Sequence, residues 1–298
     1  MGKDVKTALI QMSCGEDVEE NYKKALDYIR QAAGQGAQLI CTQELFKSRY
    51  FCQVEDNRQF RLAEKVDGDS TVIQELSGLA SSLGVVIIAS LFEKRAPGLY
   101  HNATAVVDAD GSYLGKYRKM HIPDDPRYYE KFYFTPGDLG YQVFRTKYAD
   151  IGVLICWDQW FPEASRLTAM KGAEIIFIPT AIGFSRPEVD EEGRDYLNSW
   201  QIVQRGHAVA NACYLAAINR VGFEATPGGE GGINFWGNSF IADPYGKVLA
   251  QGSEEGDEIV MASIDLAFGE QAKDNYSFPF RDRRIDSYGG LTKLYLDT

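Results

Sequence analysis

Short apolar runs alternate with longer amphipathic segments along this chain, and that alternation constrains its fold more than any other feature. In the segment 18–35, apolar residues recur at helical spacing on one face, and glycines at positions 34 and 36 are expected to end the helix. The apolar runs have the length and composition of buried strands. They predict strands at 5–12, 37–42, 85–92, 100–107, 112–119, 151–156, 174–179, 213–219 and 234–242, and helices at 18–35, 70–83, 162–171 and 194–212. A turn at 243–246 predicts a further return strand, and the whole pattern indicates an α/β fold.

A weak internal similarity suggests that the chain has two related halves. The segment 36–42 reads Gly-Ala-Gln-Leu-Ile-Cys-Thr, and the segment 172–178 reads Gly-Ala-Glu-Ile-Ile-Phe-Ile. Each follows a predicted helix and forms a predicted buried strand. We therefore expect two sheets with helices on their outer faces, although chance similarity between strands of this kind is an alternative.

No low-complexity segment or linker divides the 298 residues, so we expect one domain over 1–298. The tail 275–298 is rich in aromatic and charged residues. It is expected to pack against a neighbouring subunit or back onto its own domain.

Charge and composition argue against several classes of partner. The formal net charge of −11 disfavours nucleic acid, and no apolar run is long enough to span a bilayer. The first residues carry no pattern of a signal peptide. Five widely spaced cysteines without metal-ligand spacing indicate a reducing compartment, and we expect a cytoplasmic protein without a metal site.

Cys156 is the candidate nucleophile, because it ends an apolar run immediately before a predicted helix. A helix N-terminus and nearby backbone N–H groups favour negative charge, so this position is expected to lower a thiol pKa and to stabilise an oxyanion. The alternative interpretation is that Cys156 is only the last core residue of its strand.

A cysteine nucleophile needs a base, and the sequence offers two kinds. The chain has three histidines, His101, His121 and His207, and His121 or His207 is the candidate for a Cys–His pair. Glu44 is the competing candidate, because it follows a buried strand at the place where functional residues of α/β folds gather. Lys119, at the end of the run 112–119, is either a catalytic cation or a solvated terminal lysine.

Several motifs resemble those of the nitrilase superfamily and occur in the same order. The resemblance extends from the first strand to about residue 284. It is carried by the segments 43–46 (Gln-Glu-Leu-Phe), 117–123 (Tyr-Arg-Lys-Met-His-Ile-Pro), 130–137 (Glu-Lys-Phe-Tyr-Phe-Thr-Pro-Gly), 155–163 (Ile-Cys-Trp-Asp-Gln-Trp-Phe-Pro-Glu) and 237–246 (Gly-Asn-Ser through Asp-Pro-Tyr-Gly).

This resemblance implies an α-β-β-α sandwich with two mixed sheets, forming αββααββα homodimers or larger homo-oligomers. It implies Glu44 as general base, Lys119 as cationic stabiliser and Cys156 as nucleophile, with Glu130 orienting Lys119 and the substrate. It implies a small-molecule substrate and no metal or organic cofactor.

Within the superfamily, the segments 156–163 and 280–284 are most similar to amidohydrolases that act on N-carbamoylputrescine. We therefore expect hydrolysis of that ureide to putrescine, CO₂ and ammonia, as in polyamine biosynthesis. An ω-amidase, another small-amide hydrolase or a nitrile hydrolase is the alternative within the fold. A catalytically silent binding or scaffolding protein is the alternative outside enzymology.

The identity of the distal group is predicted from charge. Relatives that act on carbamoyl amino acids carry an arginine shortly after the nucleophile, whereas this chain has Asp158 and Gln159, which disfavours a distal carboxylate. A distal amine fits better. Its predicted acidic partners are Asp124, Asp125, Glu188, Asp190, Glu191 and Glu192, and the predicted channel-lining aromatics are Tyr50, Phe51, Trp157 and Phe184. A solvated acidic loop and ordinary aromatic core packing are the alternatives.

Overall fold

The structure is a computed structural model, and it describes residues 4–185, 191–275 and 278–297. Within these residues the strands are β1 Asp4–Gln11, β2 Leu39–Thr42, β3 Val86–Ala96, β4 Leu99–Val107, β5 Tyr113–Arg118, β6 Gln142–Arg145, β7 Asp150–Val153, β8 Ile175–Pro179, β9 Gly183–Phe184, β10 Tyr214–Ile218, β11 Val221–Ala225, β12 Gly232–Trp236, β13 Phe240–Ala242, β14 Val248–Gln251 and β15 Glu258–Asp265. The helices are α1 Val18–Gly34, α2 Thr71–Leu83, α3 Pro162–Met170, α4 Glu191–Asn211, α5 Leu266–Asn275 and α6 Phe278–Arg281.

Two six-stranded mixed sheets form the centre of the fold. One has the order β15-β1-β2-β3-β4-β5 and the other the order β14-β13-β10-β8-β7-β6. In each sheet the three middle strands are parallel and the outer pairings are antiparallel. The predicted fold class, two mixed sheets with flanking helices, is confirmed.

The two sheets have the same topology, as the internal similarity predicted. Reading the second sheet from β6 to β14 places β7, β8 and β10 where the first sheet has β1, β2 and β3. The similar segments 36–42 and 172–178 contain β2 and all of β8 except its last residue, and these two strands hold the same position in each sheet. Each strand's carboxyl end therefore has a counterpart in the other half of the molecule.

Alternate residues along the strands of the first sheet are buried in two different cores, one on each face of the sheet. Leu9, Cys41 and Ile88 pack in a core that also contains residues of the second sheet, whereas Ile10 and Ile40 pack beneath α1 and α2. Strands buried on both faces need apolar residues at every position, so the central strands read as continuous apolar runs. This is why those strands could be recognised from the sequence.

The structure corrects two predicted strands. The strand predicted at 151–156 ends at Val153, because the Asp158 side chain accepts the N–H of Ile155 and draws the chain into a short 3-10 helix, Cys156–Trp160. The strand predicted at 234–242 is two strands in different sheets, separated by positive φ at Gly237 and Asn238. A β-carbon at Gly237 would lie 2.4 Å from the Ser253 carbonyl oxygen, so the turn requires glycine.

The sequence pattern missed four strands and two helices, namely β6, β9, β11, β15, α5 and α6. β15 pairs with β1 along its full length and closes one edge of the first sheet. These strands are short or partly exposed, so their apolar periodicity is weak.

None of the helices in the described ranges is long and apolar enough to cross a membrane.

Candidate active site

Three of the four residues predicted to take part in catalysis follow the carboxyl ends of strands. Glu44 lies two residues after β2, Lys119 directly follows β5, and Cys156 lies three residues after β7. β2 belongs to the parallel part of the first sheet and β7 to the parallel part of the second, and the two sheets share one core. Functional residues of α/β folds gather at the carboxyl ends of such strands, so distant parts of the chain are brought together here.

Lys119 is held between two carboxylates in the interior. Its Nζ lies 2.9 Å from Glu44 Oε1 and 2.6 Å from Glu130 Oε2, and all three side chains are buried. Burial alone would lower the pKa of Lys119, but Glu130 and Glu44 outweigh it and raise that pKa well above its usual value. Lys119 is therefore a cation at neutral pH, and one of its three N–H groups is left for another acceptor.

Glu44 has one occupied and one free carboxylate oxygen. Oε1 accepts hydrogen bonds from Lys119 and from Asn102 Nδ2, at 2.7 Å for the amide. Oε2 is buried and has no hydrogen-bond partner among the described residues. A buried carboxylate oxygen without a partner is unusual, and it leaves a lone pair available to accept a proton.

Glu130 is held by Tyr50 as well as by Lys119. The Tyr50 hydroxyl donates to Glu130 Oε1 at 2.6 Å. Burial raises the pKa of Glu130 to about 7, with a further rise from Glu44 that the cation of Lys119 opposes. The protonation of this group therefore changes near neutral pH.

Cys156 adopts a strained backbone conformation, with φ of 43°, as the first residue of its 3-10 helix. Positive φ is rare for residues other than glycine and persists where the surrounding structure enforces it. The next backbone N–H, that of Trp157, lies in the first turn, where the helix itself supplies no acceptor. This geometry presents the thiol and an N–H donor at the same point.

The expected lowering of the Cys156 thiol pKa is wrong. Burial raises the pKa of this thiol well above its usual value, the Glu44 carboxylate adds to the rise, and Lys119 opposes it together with a backbone hydrogen bond from Ala181. Desolvation of a thiolate outweighs the favourable field of a single helical turn. A thiol in this environment is protonated at rest, so its use as a nucleophile requires a base.

The histidines are engaged away from the thiol. His121 Nδ1 lies 2.7 Å from Asp158 Oδ1, His207 Nε2 lies 2.8 Å from the Gln159 carbonyl oxygen, and His101 Nδ1 lies 2.9 Å from the Thr135 carbonyl oxygen. This arrangement gives no support to the alternative of a Cys–His pair.

Cys156 lines a cavity of about 360 Å³. Trp157 and Phe184, two of the four aromatic residues predicted to line a channel, also line it, as does the predicted acidic residue Asp125. Two acidic residues, Asp125 and Glu192, belong to its wall and Asp124 does not, although all three are exposed. Glu191 is not part of the wall, and Glu188 and Asp190 lie outside the described residues.

Two aromatic predictions need correction. Tyr50 and Phe51 do not line the cavity but belong to a buried aromatic cluster behind it. Phe51 stacks on Phe92 with ring centroids 5.0 Å apart, and Tyr50 contributes its hydroxyl to Glu130. Aromatic core packing, the alternative for these residues, is what the structure has.

Asp158 and Gln159 are also buried and do not line the cavity. Asp158 accepts from the Tyr117 hydroxyl, and Gln159 Oε1 accepts from Trp200 Nε1 at 2.9 Å. Their contacts are structural, so these two residues give no support to the predicted preference against a distal carboxylate.

Asn102 is a site residue that sequence reasoning missed. It lies on β4 and its carbonyl accepts the backbone N–H of Lys119, while its amide bonds Glu44. The available signal was an amide side chain, beside His101 and Thr104, in a run that was predicted to be a buried strand, where a polar group needs a partner. No group of three or more potential metal ligands occurs within the described parts of the chain.

Comparison with known proteins agrees with this geometry. Residues 6–274 match the carbon-nitrogen hydrolase family. The chain is 45% identical to the N-carbamoylputrescine amidase of Solanum tuberosum over 97% of this chain and 95% of that protein. It is 41% identical to the citrullinase of Francisella tularensis subsp. tularensis over 98% of this chain and 99% of that protein.

The fold matches a solved structure closely. The crystal structure of a carbon-nitrogen hydrolase from Helicobacter pylori G27 superposes with a TM-score of 0.93 at 45% identity, covering 98% of this chain and 100% of that one. This chain is therefore a member of the carbon-nitrogen hydrolase family, as its resemblance to the nitrilase superfamily implied.

Proposed function

We propose that this enzyme hydrolyses N-carbamoylputrescine to putrescine, CO₂ and ammonia, a reaction that supplies a polyamine precursor. The observation that carries the proposal is the arrangement of Glu44, Lys119 and Cys156 beside a cavity whose wall contains two carboxylates. The similarity to N-carbamoylputrescine amidase over nearly the whole chain supports it.

In the proposed mechanism, Glu44 begins as the general base. Its free Oε2 accepts the proton of the Cys156 thiol, and the sulfur attacks the ureido carbon. The remaining N–H of Lys119 and the N–H of Trp157 stabilise the oxygen that becomes negative. The thiol proton then passes from Glu44 to the nitrogen of putrescine as its bond to carbon breaks.

The second half of the cycle releases the carbamoyl group. Water gives a proton to Glu44 and attacks the S-carbamoyl carbon, and the sulfur leaves as the C–S bond breaks. Return of the proton to sulfur restores the thiol, and the carbamate that is released decomposes to CO₂ and ammonia. In this cycle Glu130 keeps Lys119 in position from the side opposite Glu44.

The acidic wall of the cavity supports a substrate with a distal ammonium group. A charge-assisted hydrogen bond from that group to Asp125 or Glu192 is worth roughly 1.5–3 kcal/mol, which corresponds to about ten- to a hundredfold in kcat/KM. A distal carboxylate in the same place would be repelled.

A substrate panel tests this proposal. Release of ammonia would be measured with N-carbamoylputrescine, citrulline, N-carbamoyl-β-alanine, an ω-amide and a nitrile, with Cys156→Ala as the blank. We expect N-carbamoylputrescine to have the highest kcat/KM. Citrulline shares the ureido and ammonium groups but adds a carboxylate, so it separates a requirement for the amine from tolerance of the acid.

Two results would contradict the proposal. Equal kcat/KM for amine-ended and carboxylate-ended ureides would indicate a hydrolase of broad small-amide specificity. If no substrate is turned over and Cys156 reacts with iodoacetamide no faster than the other buried thiols, the chain is a silent member of its family.

A further inference from the structure

Arg220 is buried at the carboxyl end of β10 and does not line the cavity. Its guanidinium donates to the backbone carbonyl oxygens of Ser48, at 2.9 Å, and of Glu44 and Leu45, both at 3.0 Å. Three carbonyl groups of the loop that carries Glu44 therefore converge on one side chain.

Glu224 completes this arrangement from the neighbouring strand. Its Oε1 accepts from Arg220 Nη1 at 2.7 Å, and its Oε2 accepts the backbone N–H of Tyr50 at 2.6 Å. Arg220 thus binds the beginning of the loop 44–50, and Glu224 binds its end. Tyr50 in turn donates to Glu130, so the same pair fixes residues on both sides of Lys119.

The loop requires such support because its backbone is strained and buried. Leu45, directly after Glu44, has φ of 50°, a conformation that persists only where the surroundings enforce it. Buried carbonyl groups also require donors, and the loop has no sheet partner to supply them. A planar guanidinium can reach several acceptors at fixed angles, which the compact ammonium of lysine cannot.

We propose that Arg220 and Glu224 are a positioning pair that fixes the direction of Glu44 Oε2, and through Tyr50 the position of Glu130. This inference rests on the proposed role of Glu44 as the base. The pair touches neither the reacting atoms nor the cavity, so it acts on the rate of the chemical steps rather than on substrate binding.

Two variants test the pair. Arg220→Lys keeps the charge but loses the fork, and Arg220→Met/Glu224→Leu removes both charges, so that no buried charge is left unpaired. We expect kcat per folded enzyme to fall about a hundredfold in both, the scale of a small misplacement of a catalytic group, while KM changes little. The double variant keeps the test informative if Arg220→Lys fails to fold.

Leu76→Ala is the control for loss of stability alone. Leu76 is a buried residue of α2 in the core that lies outside the first sheet, and Phe46 is the one residue of the loop 44–50 that belongs to the same core. This variant is expected to unfold at a lower temperature but to keep its kcat. If Arg220→Lys and the double variant keep kcat as Leu76→Ala does, the pair has only a structural role and the inference is overturned.

Alkylation of Cys156 by iodoacetamide separates this inference from the proposed function, because it requires no substrate. In the wild type we expect fast labelling of Cys156, with Glu44→Gln and both Arg220 variants slowed to a similar extent. Slow labelling in the wild type would refute the role of Glu44. Fast labelling in the wild type and in the Arg220 variants, with slow labelling in Glu44→Gln, would refute only the positioning pair.

Discussion

At the scale of single residues, the site depends on charges that have been removed from water. Lys119 is stabilised as a cation by two carboxylates, Glu130 titrates near neutral pH, and the Cys156 thiol is held in its protonated form. An arrangement of buried charges with one free carboxylate oxygen suits a reaction that transfers a proton to and from sulfur.

Lys119→Arg should lower kcat at least about a hundredfold, the scale of losing one oxyanion donor. The space between Glu44 and Glu130 fits a compact ammonium, and a planar guanidinium would displace both carboxylates. Lys116→Arg is the matched control, since Lys116 lies on β5 just before Lys119 and pairs with Glu93 outside the site. Steady-state kinetics would decide, and a normal kcat in Lys119→Arg would mean that charge alone suffices.

Asp125→Asn should reduce kcat/KM for N-carbamoylputrescine about tenfold or more, because it removes a charged acceptor from the cavity wall. Asp124→Asn offers a neighbouring control that is exposed and outside the wall. Kinetics with N-carbamoylputrescine and with an uncharged alkylurea would be compared. An equal loss with both substrates would show that Asp125 supports the wall rather than recognising the amine.

The pH dependence of stability should report on Glu130. Its pKa of about 7 in the folded protein exceeds the value of 4.5 for a free side chain, so the unfolded chain loses this proton first as pH rises. The group therefore costs stability increasingly from about pH 4.5, and the full cost is present above about pH 7. The difference in free energy of unfolding between Glu130→Gln and the wild type should therefore increase, in favour of the variant, by roughly 2–3 kcal/mol as the pH rises from 5 to 8.

Denaturant unfolding at several pH values would measure this difference. Taking the difference between the variant and the wild type removes the contribution of every group that titrates in the same way in both proteins. A difference that stays constant from pH 5 to pH 8 would contradict the raised pKa of Glu130.

At the scale of elements, the catalytic groups depend on close packing between helices and strands. Gly152 on β7 lies beneath α3, and a β-carbon there would come within 2.3 Å of Thr168 Cγ2. The strand β7 leads directly to the turn of Cys156, so its spacing from α3 affects the position of the nucleophile.

Gly152→Ala should destabilise the protein by about 1–3 kcal/mol, because the added methyl group forces α3 away from β7. The same substitution at Gly78, in the exposed interior of α2, has no atom within 4 Å of the new β-carbon. Gly78→Ala should stabilise by about 0.5–1 kcal/mol through helix propensity. Thermal unfolding would compare the two, and effects of the same sign would show that packing at Gly152 is not decisive.

At the scale of the whole molecule, the two halves share one core, since residues of both six-stranded sheets belong to a single apolar cluster. We propose that residues 1–298 form one folding unit and unfold in one transition. The tail differs from this core: its large apolar side chains are highly exposed, with Leu294 fully exposed at 106%. The other exposed large apolar residues of the tail are Phe280, Ile285, Tyr288, Leu291, Tyr295 and Leu296.

Exposed apolar side chains of this number usually mark an interface. We propose that the tail packs on a second copy of the chain in a homodimer or larger homo-oligomer. Sedimentation equilibrium should show a mass of at least two chains, and Leu294→Asp/Tyr295→Asp should weaken the association. Lys293→Glu changes the charge of the same segment without removing apolar surface and should leave the mass unchanged. A monomeric wild type would refute the proposal.

The sequence by itself determined the local elements of this protein and the identity of its chemical groups. Apolar periodicity located the central strands and the first helices because strands buried on both faces, and helices buried on one, must be apolar at fixed spacings. The motifs around Glu44, Lys119, Glu130 and Cys156 indicated the family, and the family matches. Their catalytic roles remain proposals.

Only the tertiary structure decided which groups meet and in what state of charge. Lys119 and Glu44 are separated by 75 residues, and no local pattern measures the distance between their side chains. Three other features likewise depend on the tertiary structure. They are the raised pKa of Cys156, the absence of Tyr50 and Gln159 from the cavity wall, and the hydrogen bonds of Arg220 to the loop 44–50. Burial and electrostatic interactions depend on the positions of atoms in three dimensions, which arise when the two sheets pack together and bring distant strand ends to one point.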